Sequence, residues 1–165
     1  MVVADIMLRP VEARDQAFTD ALYDSTRDDL HIIQADKIVI QTLLAMQKNA
    51  QAVSYRAHYP DAGYFIIEQH IEQHIEQRKS AVGRIVINSD GATLTVVDLS
   101  IMPSARRHGC ASAVLRSLQR RAAAAGQTLQ LTVRRSNTDA SRLYLALGFV
   151  VESADAVCQQ LRWTP

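Results

Sequence analysis

Arg106, Arg107, His108 and Gly109 form a basic turn between an apolar stretch, Leu94 to Ile101, and a run with helical spacing. The apolar stretch reads as a strand. Beyond the turn, Ala111, Val114, Leu115, Leu118, Ala122 and Ala125 fall on one helical face, and Gly126 suits the position just past the helix end. A strand–turn–helix of this kind leaves backbone N–H groups free at the positive end of the helix, where anions bind. A glycine there lets the backbone approach an anion closely, because no Cβ intervenes. The chemistry implied is recognition of a phosphate-bearing molecule. There is no Gly-x-x-x-x-Gly-Lys-Ser/Thr and no Gly-x-Gly-x-x-Gly after an early strand, which argues against an NTPase and against a dinucleotide fold. Taken alone, these residues also read as a basic turn capping an amphipathic helix.

A second group with chemical potential is the four-residue repeat Ile-Glu-Gln-His over residues 67–77. His70 and His74, four apart and flanked by carboxylates, could meet a metal on a helix. The glutamate of His70-Ile-Glu-Gln-His74 is displaced from its place in His-Glu-x-x-His, and a period of four serves a strand equally. The reading adopted is a solvated extension of a hairpin, with no metal.

The elements that must hold these residues follow an α/β order. A short strand near Ile6 to Arg9 stops at Pro10; Ala13 to Thr26 and Asp36 to about Tyr55 read as helices. Strands follow at Tyr64 to about Glu68, Ala81 to Asn88 and Leu94 to Ile101, the last two joined by the turn signal Ser89-Asp90-Gly91. Val150 to Glu152 and Val157 to Trp163 end the chain as antiparallel strands. At 165 residues this is one domain, 1–165, large enough for a core without staples. Hydrophobic content of 48% and a net charge of +1 describe a globular protein and argue against a dedicated nucleic-acid binder, although Arg106, Arg107, Arg116, Arg120 and Arg121 form a local basic region. Two cysteines are too few for a disulfide framework, and neither a signal peptide nor a membrane span is read, so a cytoplasmic location and no membrane partner are expected.

Residues 127–149 add a second motif. Leu129, Leu131 and Val133 alternate with polar residues as a half-buried strand does; Ser136 or Asn137 can then cap a short helix that Gly148 ends. Arg106-x-x-Gly109-x-Ala111, followed by Asn137-x-x-Ala140-x-x-Leu143-Tyr144-x-x-x-Gly148-Phe149, resembles the two ordered motifs of the GNAT acyltransferases. The motifs cover residues 94–149, and the order of elements resembles that fold along nearly the whole chain. The resemblance implies a mixed, mostly antiparallel central sheet flanked by helices, with acetyl-CoA as co-substrate and an N-acetyltransferase activity.

By the same resemblance, the cofactor falls to Leu99, Ser100, Ile101, Arg106, Arg107, His108, Gly109, Cys110, Ala111, Ser112 and Asn137. Tyr144 would protonate the departing thiolate, although with Ala140, Leu143 and Leu147 it also makes an ordinary apolar helical face. Asp98 is the first choice of base and Glu68 the second, and each reads equally as a structural carboxylate. Gln47, Gln51 and Tyr55, at i, i+4 and i+8 on the second helix, would border the acceptor together with Glu68, or present a plain solvent face. Three readings stand: an N-acetyltransferase acting on a small-molecule or protein amine, a non-catalytic acyl-CoA-sensing protein, and a nucleic-acid factor using the arginines near 106–121. A homodimer through the terminal strand Val157–Trp163 is expected, on the premise that this strand is an edge.

Overall fold

The computed structural model describes residues 6–27, 36–73 and 76–165, with side chains described for all of these except 71–73 and 76–78. The strands are β1 (Ile6–Pro10), β2 (Gly63–Gln73), β3 (Glu76–Ser89), β4 (Thr93–Ile101), β5 (Thr128–Arg134), β6 (Val150–Ala154) and β7 (Cys158–Trp163). The helices are α1 (Gln16–Asp24), α2 (Lys37–His58), α3 (Cys110–Ala125) and α4 (Thr138–Ala146). Short 3-10 turns at Ala13–Asp15 and Pro103–Ala105 lead into α1 and out of β4. The first of these takes up the start of the helix expected from Ala13.

One sheet of seven strands runs β1-β2-β3-β4-β5-β7-β6. Every pair is antiparallel except β4 with β5. That parallel pair is the product of the crossover through α3, which returns the chain to set β5 beside β4. The Ile-Glu-Gln-His repeat carries β2 to Gln73 and β3 on from Glu76, as a hairpin extension would; His74 and Ile75 lie outside the described residues. No cluster of metal-binding side chains occurs among the described residues.

Both faces of the sheet are covered. On one, Val114, Leu115, Leu118 and Ala122 of α3 and Tyr144 of α4 pack with Ile67, Ile85, Leu94, Val96, Leu129 and Leu131. The strand period of two turns Ile66 and Val86 to the other face, where both are fully buried and α1 packs on β3 and β4. There Tyr23 packs with Leu44 and Ile40 of α2. Ala125, assigned to the buried face of α3, is exposed, while Cys110 and Gln119 are buried. Gln119 is satisfied by donating to the Leu147 carbonyl at 2.8 Å, which ties α3 to the end of α4.

One expectation about the sheet is corrected. β7 lies between β5 and β6, so Val157–Trp163 is an interior strand and β6 forms the edge. The chain reverses after β6 and inserts its last strand inward. Nothing in local composition marks that order.

Candidate active site

The decisive backbone feature is a bulge in β4. Val86 faces Asp98 while Ile87 faces Val96, so Val97 is an extra residue without a partner on β3. A bulge kinks its strand and ends regular pairing. β4 pairs with β5 only from Thr93 to Val96; beyond it, β5 pairs with β7 alone and residues 98–101 pair with β3 alone. The two parallel strands therefore separate at Asp98, leaving one side of Asp98–Ile101 without a strand.

A cavity of about 560 Å³ occupies this opening. Asp98, Leu99, Ser100 and Ile101 line it, together with Tyr23, Arg27 and Gln51 from the α1–α2 side and Arg134, Asn137 and Asp139 from the β5–α4 side. A second cavity of about 400 Å³ lies along the turn and the start of α3, lined by Arg107, Gly109, Ala111 and Ser112 and by Ala140 and Leu143. Ile101, Arg106 and Asp139 line both, so the two adjoin as one groove.

The turn is built for an anion. Gly109, at φ 81°, occupies the N-cap position of α3, and no side chain caps the helix. Ala113 makes the first helical bond, donating to the Gly109 carbonyl, so the N–H groups before it have no helical acceptor. A Cβ on Gly109 would meet nothing within 4 Å: the space before the turn is open to a ligand. Arg106 donates from Nε to the Ile101 carbonyl (3.0 Å) and from Nη2 to the Ser25 carbonyl (3.4 Å), which pins the end of β4 to the end of α1. Both acceptors are neutral, so its charge stays available to the groove. Arg107 is exposed and lies 3.5 Å from Asp139. His108 is exposed and lines neither cavity. Cys110 is turned into the core, where burial raises its thiol pKa, so only its backbone serves the groove. Asn137 accepts a bond from the Ala140 N–H at 3.2 Å and caps α4 while lining the larger cavity.

Tyr144 is buried against Phe149, ring centroids 5.9 Å apart, and its hydroxyl makes no hydrogen bond among the described residues. Burial, and then the charge of Asp98, push its pKa up to about 12. The same charge helps burial hold the Tyr55 phenol well above its usual value, so Asp98 lies within electrostatic reach of both rings. Asp98 itself accepts from Arg84 Nη2 at 2.8 Å and from Ser100 Oγ at 3.4 Å.

The expected acceptor residues divide. Gln51 lines the larger cavity, whereas Tyr55 borders a separate one of about 370 Å³ beside Thr95–Val97 and Thr132. Gln47 lines neither, and its Oε1 is buried without a partner. Glu68 lines none of these three cavities. It accepts from Arg9 Nε at 2.6 Å, while Arg9 also grips both oxygens of Asp15. A half-buried carboxylate needs such a partner, and this one joins β1, β2 and the entry to α1.

Three residues important to the groove were not singled out from sequence. Arg84 holds Asp98, Arg134 adds positive charge, and Gly83 lies opposite Ile101. A Cβ on Gly83 would stand 2.4 Å from the Ser100 carbonyl oxygen, so only glycine lets β3 lie this close to the bulged strand. Counting the hairpin register back from Ser89-Asp90-Gly91 could have paired Arg84 with the end of β4, had the bulge been known.

Comparison with known proteins agrees with this geometry. The family model described as FR47-like protein matches residues 74–158, more than half of the chain. No protein of curated function matches in sequence. Among solved structures, the PaiA N-acetyltransferase of Thermoplasma acidophilum in complex with coenzyme A superposes with a TM-score of 0.66 at 12% identity, covering 98% of this chain and 99% of that one. A GNAT family acetyltransferase from Elizabethkingia anophelis with acetyl-CoA bound gives 0.60 at 13% identity, covering 98% and 99%. A mutant spermidine N-acetyltransferase from Vibrio cholerae gives 0.62 at 17% identity, covering 96% and 93%. These likenesses establish the fold. No helix among the described residues is long and apolar enough to cross a membrane.

Proposed function

The chain belongs to the FR47-like family of GNAT-type acyltransferases, and from that premise we propose that it transfers the acetyl group of acetyl-CoA to a primary amine by direct attack on the thioester. The observation that carries this reading is the groove itself: free N–H groups at the start of α3 run on to a strand edge opened by the Val97 bulge. Acetyl-CoA supplies an activated acyl group. The N–H groups of Gly109 to Ser112, with Arg106 and Arg107, hold its phosphates, and the open edge of Leu99–Ile101 pairs with the extended pantetheine arm. A backbone N–H of that edge faces the thioester oxygen and stabilises the charge that develops there. Asn137 caps α4, whose Ala140 and Leu143 line the groove.

The acceptor amine enters from the side of Gln51, as a small molecule or a protein group. Asp98, paired with Arg84, draws the ammonium in and takes its proton through water. The neutral nitrogen then bonds to the acyl carbon, the carbon–sulfur bond breaks, and the sulfur leaves as thiolate. With a pKa near 12, the Tyr144 hydroxyl is protonated throughout the working pH range and serves as a donor. Against a thiol of about 8.5, complete transfer from such a phenol is uphill by roughly 3.5 pH units. Its part is therefore a hydrogen bond to the sulfur as charge builds, the final proton coming from solvent or the relayed ammonium.

The Arg84–Asp98 pair also favours a second reading, in which the groove senses acyl-CoA without turnover. An assay of CoA release over a panel of primary amines separates the two. Release dependent on one amine class, with the matching acetylated product, is expected. Saturable CoA binding with no amine-dependent release would favour the sensor.

A further inference from the structure

Helix α2 is apolar on two sides. Its inner side holds Ile40, Leu44, Lys48 and Gln51 against α1 and the sheet, with Leu44 buried and Lys48 paired to Asp20. Its outer side carries Val39, Leu43, Met46, Ala50, Val53 and Ala57. Their spacing alternates strictly, four then three, across 19 of the helix's 22 residues. An average spacing of 3.5 is the seam of a helix that packs lengthwise on another helix. A helix packed only on its own core turns polar residues outward. Here Val39 is 47% exposed, Met46 64% and Val53 61%.

We propose that this seam pairs with the same seam of a second copy of the chain, antiparallel about a two-fold axis. The seam is complementary to itself in that direction. Reversed and aligned over the whole helix, it sets Val39 against Ala57, Leu43 against Val53 and Met46 against Ala50, so that the outer and central layers place a larger side chain against a small one. A two-fold contact repeats each layer, as an isologous interface requires. Charge agrees. Between Lys37 and Arg56 the helix has one charged residue, Lys48, and that points inward to Asp20. Antiparallel pairing brings the Arg56 end of each helix to the Asp36 end of its mate and opposes the two helix dipoles. A parallel pair would stack Arg56 on Arg56. At 1.5 Å per residue the seam is about 28 Å long, and a single helix pair of that length sits at the small end of specific interfaces, around 1,200 Å². Association in the micromolar range is therefore expected. The inference rests on the helix alone and holds whichever reaction the groove performs.

Sedimentation equilibrium of the full chain across the micromolar range tests it. The expected mass is twice the 18.3 kDa of one chain, returning to 18.3 kDa in Met46→Glu. Val150→Glu, on the exposed apolar edge strand β6, is expected to stay dimeric. Circular dichroism checks that both variants remain folded, which the exposure of both positions favours. A wild-type mass of 18.3 kDa at the highest concentration overturns the proposal, as does dissociation by Val150→Glu with Met46→Glu still dimeric. Mixed Met46→Cys and Ala50→Cys chains are expected to form the mixed disulfide preferentially on oxidation; preference for like-with-like bridges would overturn the antiparallel register.

Discussion

In the proposed reaction Tyr144 answers to two demands, filling the core beside Phe149 and offering a hydroxyl within electrostatic reach of Asp98. Phenylalanine meets the first demand and not the second. In Tyr144→Phe, turnover is expected to fall by ~10² to 10³, the usual worth of one hydrogen-bond donor to developing negative charge, with CoA affinity and melting temperature nearly unchanged. Single-turnover kinetics with a reactive amine checks this; an unchanged chemical rate would return the residue to packing alone. The raised pKa adds a signed expectation. The neutral phenol persists until pH approaches about 12, so the rate should rise as the amine deprotonates and show no alkaline fall from Tyr144 near pH 10. A descending limb near pH 10 that disappears in Tyr144→Phe would contradict it. At this scale the sequence was informative where roles are local: Gly109 and Asn137 occupy the turn and cap positions their types suggested. The ion pair of Glu68 was not legible, because its partner, Arg9, lies 59 positions away in the chain and no local pattern announces it.

At the scale of elements, the groove depends on how closely β3 lies to the bulged β4. Gly83→Ala adds a methyl that must displace the Ser100 carbonyl or the Ile101 side chain. Overpacking of this kind costs about 1–3 kcal/mol, and it falls on the strand edge to which the proposed function assigns the pantetheine. Lower stability in urea together with a higher KM for acetyl-CoA is expected; a loss of stability with KM unchanged would separate Gly83 from the groove. Farther off, Arg9 joins β1, β2 and the turn before α1. The Arg9 guanidinium, and then the Glu12 N–H, hold the Asp15 carboxyl well below the usual carboxylate range. Its folded pKa is thus lower than its unfolded value of about 3.9, so its stabilisation is complete above that pH and is lost as pH falls below it. Asp15→Asn should be less stable at neutral pH and lose less on acidification; denaturant melts at pH 7 and pH 3 check both signs. Strand and helix positions were legible from periodicity and from Gly91, Gly126 and Gly148. The bulge at Val97 and the insertion of β7 inside β6 were not, since both are settled by pairing between distant segments.

For the whole molecule, the fold and the α2 seam are separable. The seam is a spacing in the sequence, yet it took the structure to show which of the helix's two apolar sides was left exposed. The fold, by contrast, was readable because the two ordered motifs resemble those of the GNAT acyltransferases and the order of strands and helices along the chain agrees with that fold. The central claim is that this groove holds acetyl-CoA with its phosphates at the start of α3. Calorimetric titration of CoA into the wild-type chain and into Gly109→Val tests it most directly. Valine at φ 81° would place a branched side chain in the open space before the turn. Saturable binding to the wild type is expected, with affinity at least about tenfold weaker, or 1.4 kcal/mol, in a Gly109→Val protein shown by circular dichroism to be folded. Equal affinity in the two folded proteins would contradict the account.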